Sequence, residues 1–153
     1  MTNSELVHPL GSENEIKDTF YTINPEWYES HGISLSLVVH QRRCTECQAY
    51  EAWNESQKKG GKNSNANWQK EMREIMKSCS KKEDYIHSKT PMVEAVFRLL
   101  LKQGNRPMSV AQLGENIEAT WALGMSPRSL SITTLERVLN SQTSYGIKAN
   151  LNE

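Results

Sequence analysis

The chain has 153 residues, of which 37% are hydrophobic and 24% charged, with mean hydropathy −0.68 and 18 basic side chains against 18 acidic ones. That length fits one domain or two small modules, and zero net charge gives no bulk attraction to a polyanion. No apolar run approaches the roughly 18 residues that a membrane-spanning helix requires. Met1 to Asp18 lacks the basic-then-apolar order of a signal peptide. A cytoplasmic protein with no membrane partner is the expectation.

The neutral total conceals a segregation. Residues 1–40 carry one base against six acids, residues 41–82 carry ten bases against five acids, and residues 83–153 are balanced. Such blocks form solvated faces, or an acidic arm that folds against a basic middle.

In chain order, residues 1–19 have no periodicity and are expected to form an acidic, flexible arm. Phe20, Tyr21, Trp27 and Tyr28 concentrate aromatics that need a surface to pack on. Ile33-Ser-Leu-Ser-Leu-Val-Val39 alternates and predicts a strand. Residues 44–56 read as a helix, followed by a Gly/Asn/Ser/Lys loop from Gln57 to Asn65. Trp68, Met72, Ile75, Met76 and Cys79 then mark one face of an amphipathic helix. Lys81 to Ser88 reads as a linker, closing a small α+β module over residues 20–87.

A second module is expected over residues 88–150. Thr90-Pro91 predicts an N-cap and first turn, and Val93, Val96, Phe97, Leu100 and Leu101 form the stripe that follows. Gly104-Asn105 ends that helix. Ser109-Val-Ala-Gln112 opens the next as a capping box, with Val110, Leu113, Ile117 and Trp121 inward. A third helix to Asn140 is expected to bury Ile132, Leu135, Val138 and Leu139, and Tyr145 to Lys148 predicts a short strand. The fold class is therefore mainly α with short strands (α+β).

The apolar helix Val93 to Leu101, the segment RPMSVAQLGENI (Arg106 to Ile117) and the segment SITTLERVLNSQTSYGI (Ser131 to Ile147) together resemble the winged-helix or helix-turn-helix class. The resemblance covers about 60 residues. It implies that the strand before helix two pairs with strands after helix three, and that helix three enters the DNA major groove. The nucleic-acid-binding residues would then be Arg128, Ser129, Thr133, Thr134, Arg137 and Lys148. Only about eight residues follow Tyr145, too few for a full wing, and helix three is poor in the cations that contact phosphate. A protein–protein adaptor using the same module is the alternative.

Cys44-Thr-Glu-Cys47, with Cys79 32 residues later, supplies three sulfur ligands, and His40 is the preferred fourth over His87. Zinc takes four tetrahedral N/S ligands, so a structural Cys3His zinc site would help a polar segment fold. Two alternatives stay open: inert cysteines, with Cys79 a small hydrophobe on its helix, or thiol redox chemistry at Cys44 and Cys47, flanked by Arg42 and Arg43. No phosphate-cradling, dinucleotide, metalloprotease or nucleophile-elbow motif is present. The expected function is non-enzymatic regulation through DNA binding.

Overall fold

The computed structural model describes residues 19–46, 67–122, 130–142 and 144–151. Among them are six α-helices and a three-stranded antiparallel sheet. No helix among the described residues is long and apolar enough to cross a membrane. Residues 1–18 of the expected arm and most of the expected helix over 44–56 lie outside the described residues, while Thr19 opens a strand.

Strand β1 (Thr19–Ile23) is made of aromatic and β-branched side chains, which suit a half-buried pleat. Asn24 then caps α1 (Pro25–Ser30), its Oδ1 accepting the Glu26 N–H at 3.2 Å, with Pro25 in the first turn. Gly32, at φ 67°, reverses the chain.

The strand expected over Ile33–Val39 is a helix instead, α2 (Leu35–His40). Two local facts explain the difference. The Ser34 hydroxyl accepts the Leu37 N–H at 3.1 Å, which starts a helix. Leu35 and Val39, four residues apart, are then wholly buried, while Leu37 is 55% exposed and Ile33 is exposed. The helical spacing outweighs the alternation.

Helix α3 (Trp68–Lys77) buries Trp68, Met72 and Ile75 as its periodicity predicts, while Met76, expected on the same face, is exposed. Cys79 lies just past it, buried in a 3-10 turn (Cys79–Lys81). The expected linker Lys81 to Ser88 is packed, because Tyr85, Ile86 and Ser88 are buried. Tyr85 donates its hydroxyl to the Arg98 carbonyl at 2.6 Å, and Arg98 Nη1 returns a bond to the Tyr85 carbonyl at 3.0 Å.

Helix α4 (Met92–Lys102) starts one residue later than expected. Pro91 is its cap, and the Thr90 hydroxyl accepts the His87 N–H instead. It buries Ala95, Val96, Phe97, Leu99, Leu100 and Leu101, which makes it the central helix of the core. Gly104 and Asn105 end it with φ values of 75° and 59°. The Asn105 amide then clamps the end of β1, accepting the Ile23 N–H at 2.7 Å and donating to the Ile23 carbonyl at 3.1 Å.

Strand β2 (Met108–Ser109) leads into α5 (Val110–Ala122) through the expected capping box. Ser109 Oγ accepts the Gln112 N–H, and Gln112 Oε1 accepts the Ser109 N–H. Leu113, Ile117 and Trp121 are fully buried. Ser131 caps α6 (Ile132–Ser141), which buries Leu135 and Leu139 and half-buries Val138. Ile132, expected inside, is 42% exposed. It opens the helix and rests by its Cδ1 on Gly114 of α5, where an added Cβ would come within 2.5 Å of it.

Strand β3 (Ile147–Leu151) completes the sheet in the order β2-β1-β3, with Tyr21 opposite Met108 on one side and Ala149 on the other. The boundary expected at 87/88 therefore does not separate two cores. Residues 19–23 form the central strand between two strands of the second segment, and one buried cluster draws on both segments.

Candidate functional site

Three groupings of polar side chains stand out, and the first involves the cysteines. After α2 the chain makes a turn, with Arg42 and Arg43 N–H groups bonded to the Val39 and His40 carbonyls. This delivers Cys44 to the 3-10 turn, where its backbone N–H donates to Cys79 Sγ at 3.2 Å. The Cys44 backbone and the Cys79 sulfur thus meet, and His40 is not grouped with them. Cys47 lies outside the described residues. His40 Nδ1 faces Glu71 Oε1 at 3.2 Å, and Arg43 donates to the same oxygen at 2.8 Å. Among the described residues, no group of three His, Cys, Asp or Glu side chains is placed to hold a metal ion.

The second grouping centres on Glu94 of α4. Arg42 reaches it with two donors, Arg98 Nε donates to Oε2 at 2.7 Å, and the Tyr145 hydroxyl donates to Oε1 at 2.7 Å. Burial by itself would raise the Glu94 carboxyl, but bonds from Arg42, Tyr145 and Arg98 outweigh it and hold it at about 2. Arg42 also lies over the Phe97 ring at 5.0 Å, and Arg98 over Tyr85 at 5.4 Å. Tyr28 donates its hydroxyl to the Tyr145 carbonyl, and burial pushes the Tyr28 phenol well above its ordinary value. Every polar partner here is another part of the protein, so this cluster ties the segment after α2 and the residues before β3 to α4. Neither the charge blocks nor the hydrophobic stripes signal it.

The third grouping is the outer face of α6 with β3. Thr133, Arg137 and Asn140 are exposed and fall at helical spacings of four and three residues, so they share one face. Glu136 is exposed beside Arg137. Thr134 is half-buried, and its N–H goes to the Ser131 cap. Lys148 is exposed on β3. Arg128 and Ser129 lie outside the described residues.

Where α6 ends against β3 there is a cleft of about 310 Å³, lined by Asn24, Trp27, Asn140, Gln142 and Lys148 among others. Its side-chain acceptors are engaged: Asn24 Oδ1 by the Glu26 N–H, Asn140 Oδ1 by the Tyr21 hydroxyl, and Gln142 Oε1 by the Tyr145 N–H. Burial raises the Tyr21 phenol, with Glu136 adding to the effect, so it remains a donor. The lining includes amides, the Tyr21 phenol and the Lys148 ammonium, and such a surface can bind. Asn140 was legible as the next residue on the Thr133–Arg137 face, whereas Asn24 and Trp27 reach the cleft only through the sheet.

No protein family, curated protein or solved structure matches the chain.

Proposed function

We propose that the protein is a non-enzymatic, nucleic-acid-binding regulator that presents the outer face of α6 to duplex DNA. The observation that supports this is the element order α4–β2–α5–α6–β3, with β2 and β3 in one antiparallel sheet. That is the order of the winged-helix class, in which the helix at the position of α6 enters the major groove. The departure is that the strand between β2 and β3 is β1, contributed from earlier in the chain. A central strand supplied this way takes the place of one returning from a wing. Thr133 and Arg137 are the groups offered to bases and phosphates, with Lys148 beside them, and Arg128, Ser129 and Thr134 complete the set by sequence. Fluorescence anisotropy with random-sequence duplex at two salt concentrations tests the proposal, since phosphate contacts weaken as salt rises. Absence of binding at low salt defeats it.

The second reading, an adaptor, draws on the mixed chemistry of the same face. Ile132 is substantially exposed, and Glu136 neighbours Arg137, a combination that suits a protein partner better than a phosphate chain.

A structural zinc belongs to the same proposal. It would be held by Cys44 and Cys79, with Cys47 as the third sulfur by sequence; His40, the fourth ligand expected from the sequence, is not grouped with these two and would have to move to join them. The Cys44 N–H on Cys79 Sγ is the type of bond that stabilises a thiolate. Glu71 on His40 Nδ1 is the orientation that outer carboxylates give to ligating imidazoles. Thiols kept for a metal fit the reducing cytoplasm.

A further inference from the structure

We propose that the outer face of α3 is a second contact surface, for the phosphate backbone of nucleic acid; this rests on the nucleic-acid reading of α6. In sequence α3 is close to neutral, with Lys70, Arg73 and Lys77 against Glu71 and Glu74. The fold separates the two signs. Glu71 turns inward, its side chain 13% exposed, to meet Arg43 and His40. Glu74 also lies toward buried Arg43, at 4.0 Å from Nη2. The three bases stay outside. They fall at i, i+3 and i+7, on one helix face. Lys77 is 3.8 Å from Glu74 yet keeps 72% of its side chain exposed. Lys81 is exposed in the following 3-10 turn.

Two further considerations select the partner. Lys70 to Lys77 spans about 10 Å along the helix, over which one strand of a duplex presents about three phosphates. The face of α6 carries Arg137 beside Glu136, so it can discriminate bases but supplies little phosphate attraction. The missing attraction is available on α3. Both helices pack on α4. Contact through α3 is independent of base sequence.

The test is anisotropy of a labelled random-sequence duplex titrated with the full chain between about 50 and 200 mM salt. The variant Lys70→Gln/Arg73→Gln/Lys77→Gln keeps helix-favouring residues at exposed positions, and far-UV circular dichroism verifies its helix content. The slope of log affinity against log salt should flatten by about 2.7, with a loss on the order of tenfold at low salt, whatever the duplex sequence. Lys89→Gln/Lys102→Gln/Arg106→Gln removes the same charge from exposed positions elsewhere and should change the slope far less. If the triple variant loses structure, Arg73→Gln alone should flatten the slope by about 0.9. An unchanged slope, or an equal change in the control variant, overturns the α3 surface and leaves the α6 reading standing. A wild-type chain that binds no duplex at low salt overturns both. Binding of polyglutamate through these residues, in preference to duplex, assigns the face to an acidic protein and overturns the proposal.

Discussion

Arg42 and Glu94 meet as fork on fork, with Arg42 Nη2 donating to Oε1 at 2.8 Å and Nε donating to Oε2 at 3.0 Å. Both side chains are mostly buried, which strengthens the pair and makes it costly to break. Three elements depend on it. Arg42 also bonds the Val38 carbonyl of α2, and Glu94 also receives Arg98 within α4 and Tyr145 ahead of β3.

Glu94→Gln should therefore destabilise the fold by about 2–3 kcal/mol at neutral pH, since it leaves Arg42 without its anion. The folded carboxyl sits at about 2 against an ordinary 4.5. Its contribution is fully present above about pH 4.5 and disappears as pH falls toward 2. Urea denaturation of wild type and variant should give stabilities that converge over that interval. A difference that persists unchanged at pH 2 would assign the effect to packing and not to charge.

Purified protein is expected to carry about one zinc per chain, detectable by native mass spectrometry with metal analysis. Cys44→Ser, Cys47→Ser and Cys79→Ser should each lose the metal along with stability. His40→Ala should weaken retention more than His87→Ala, because His40 lies four residues from Cys44 and its Nδ1 faces Glu71, the arrangement that orients a ligating imidazole. Metal-free, fully folded protein with three titrating thiols would leave the cysteines as ordinary side chains.

Arg137→Ala and Lys148→Ala test α6 and β3. Each should flatten the salt dependence of DNA binding by roughly 0.9 per lost phosphate contact, with the thermal midpoint nearly unchanged. Neither side chain belongs to the buried stripe of Leu135 and Leu139. A partner protein whose binding changes while DNA association does not would favour the adaptor reading.

What the sequence made legible follows how local each signal is. The capping box at Ser109 and Gln112, the stripe of α4 and the helix ending at Gly104-Asn105 are each specified within a few residues, and each is present. Residues 33–39 form a helix against their alternation because a short apolar run satisfies two periods, and the deciding group is the Ser34 hydroxyl. The pairing of β1 with β3 joins residues more than 120 positions apart, as in Phe20 opposite Asn150. No local pattern encodes that partner. Asn105 illustrates the limit: its type announces a helix end, but nothing nearby shows that its amide will hold Ile23. The bond from the Cys44 N–H to the Cys79 sulfur, and Glu71 as the partner of His40, appear only in three dimensions.

Asn105 can be dissected by two substitutions. Its residue must adopt φ 59° and also bond both backbone groups of Ile23. Asn105→Gly relieves the backbone requirement but loses the two bonds, leaving the Ile23 N–H without its acceptor, at a cost of about 1–3 kcal/mol. Asn105→Ala loses the bonds and adds roughly 1 kcal/mol of left-handed strain. Equilibrium unfolding should rank wild type above Gly and Gly above Ala. Equal stability of Gly and wild type would mean that the clamp on β1 contributes nothing.

Gly146 and Gly114 both lie against side chains, and the difference between their neighbours predicts different responses to alanine. At Gly146 a Cβ would stand 2.5 Å from Tyr28 Cε1 and 2.7 Å from Trp27 Cε3, and the backbone has φ 60°. The ring of Tyr28 is buried and its hydroxyl is bonded to the Tyr145 carbonyl, while Trp27 is stacked on His31 with centroids 4.1 Å apart. Neither ring can swing aside without breaking those contacts. At Gly114 the closest atom is Ile132 Cδ1, also at 2.5 Å, followed by Leu130 Cδ2 at 3.1 Å. These are ends of flexible side chains, and Ile132 is 42% exposed, so it has room to turn outward. Gly146→Ala should therefore cost about 3 kcal/mol or more, from overpacking and backbone strain together. Gly114→Ala should cost about 1 kcal/mol or less, because part of its crowding is offset by the better helix propensity of alanine. Thermal unfolding of the two variants side by side checks the order. A Gly114 variant that is the less stable of the two would mean that the α5–α6 crossing is more rigid than the seat of Gly146 on the aromatic pair.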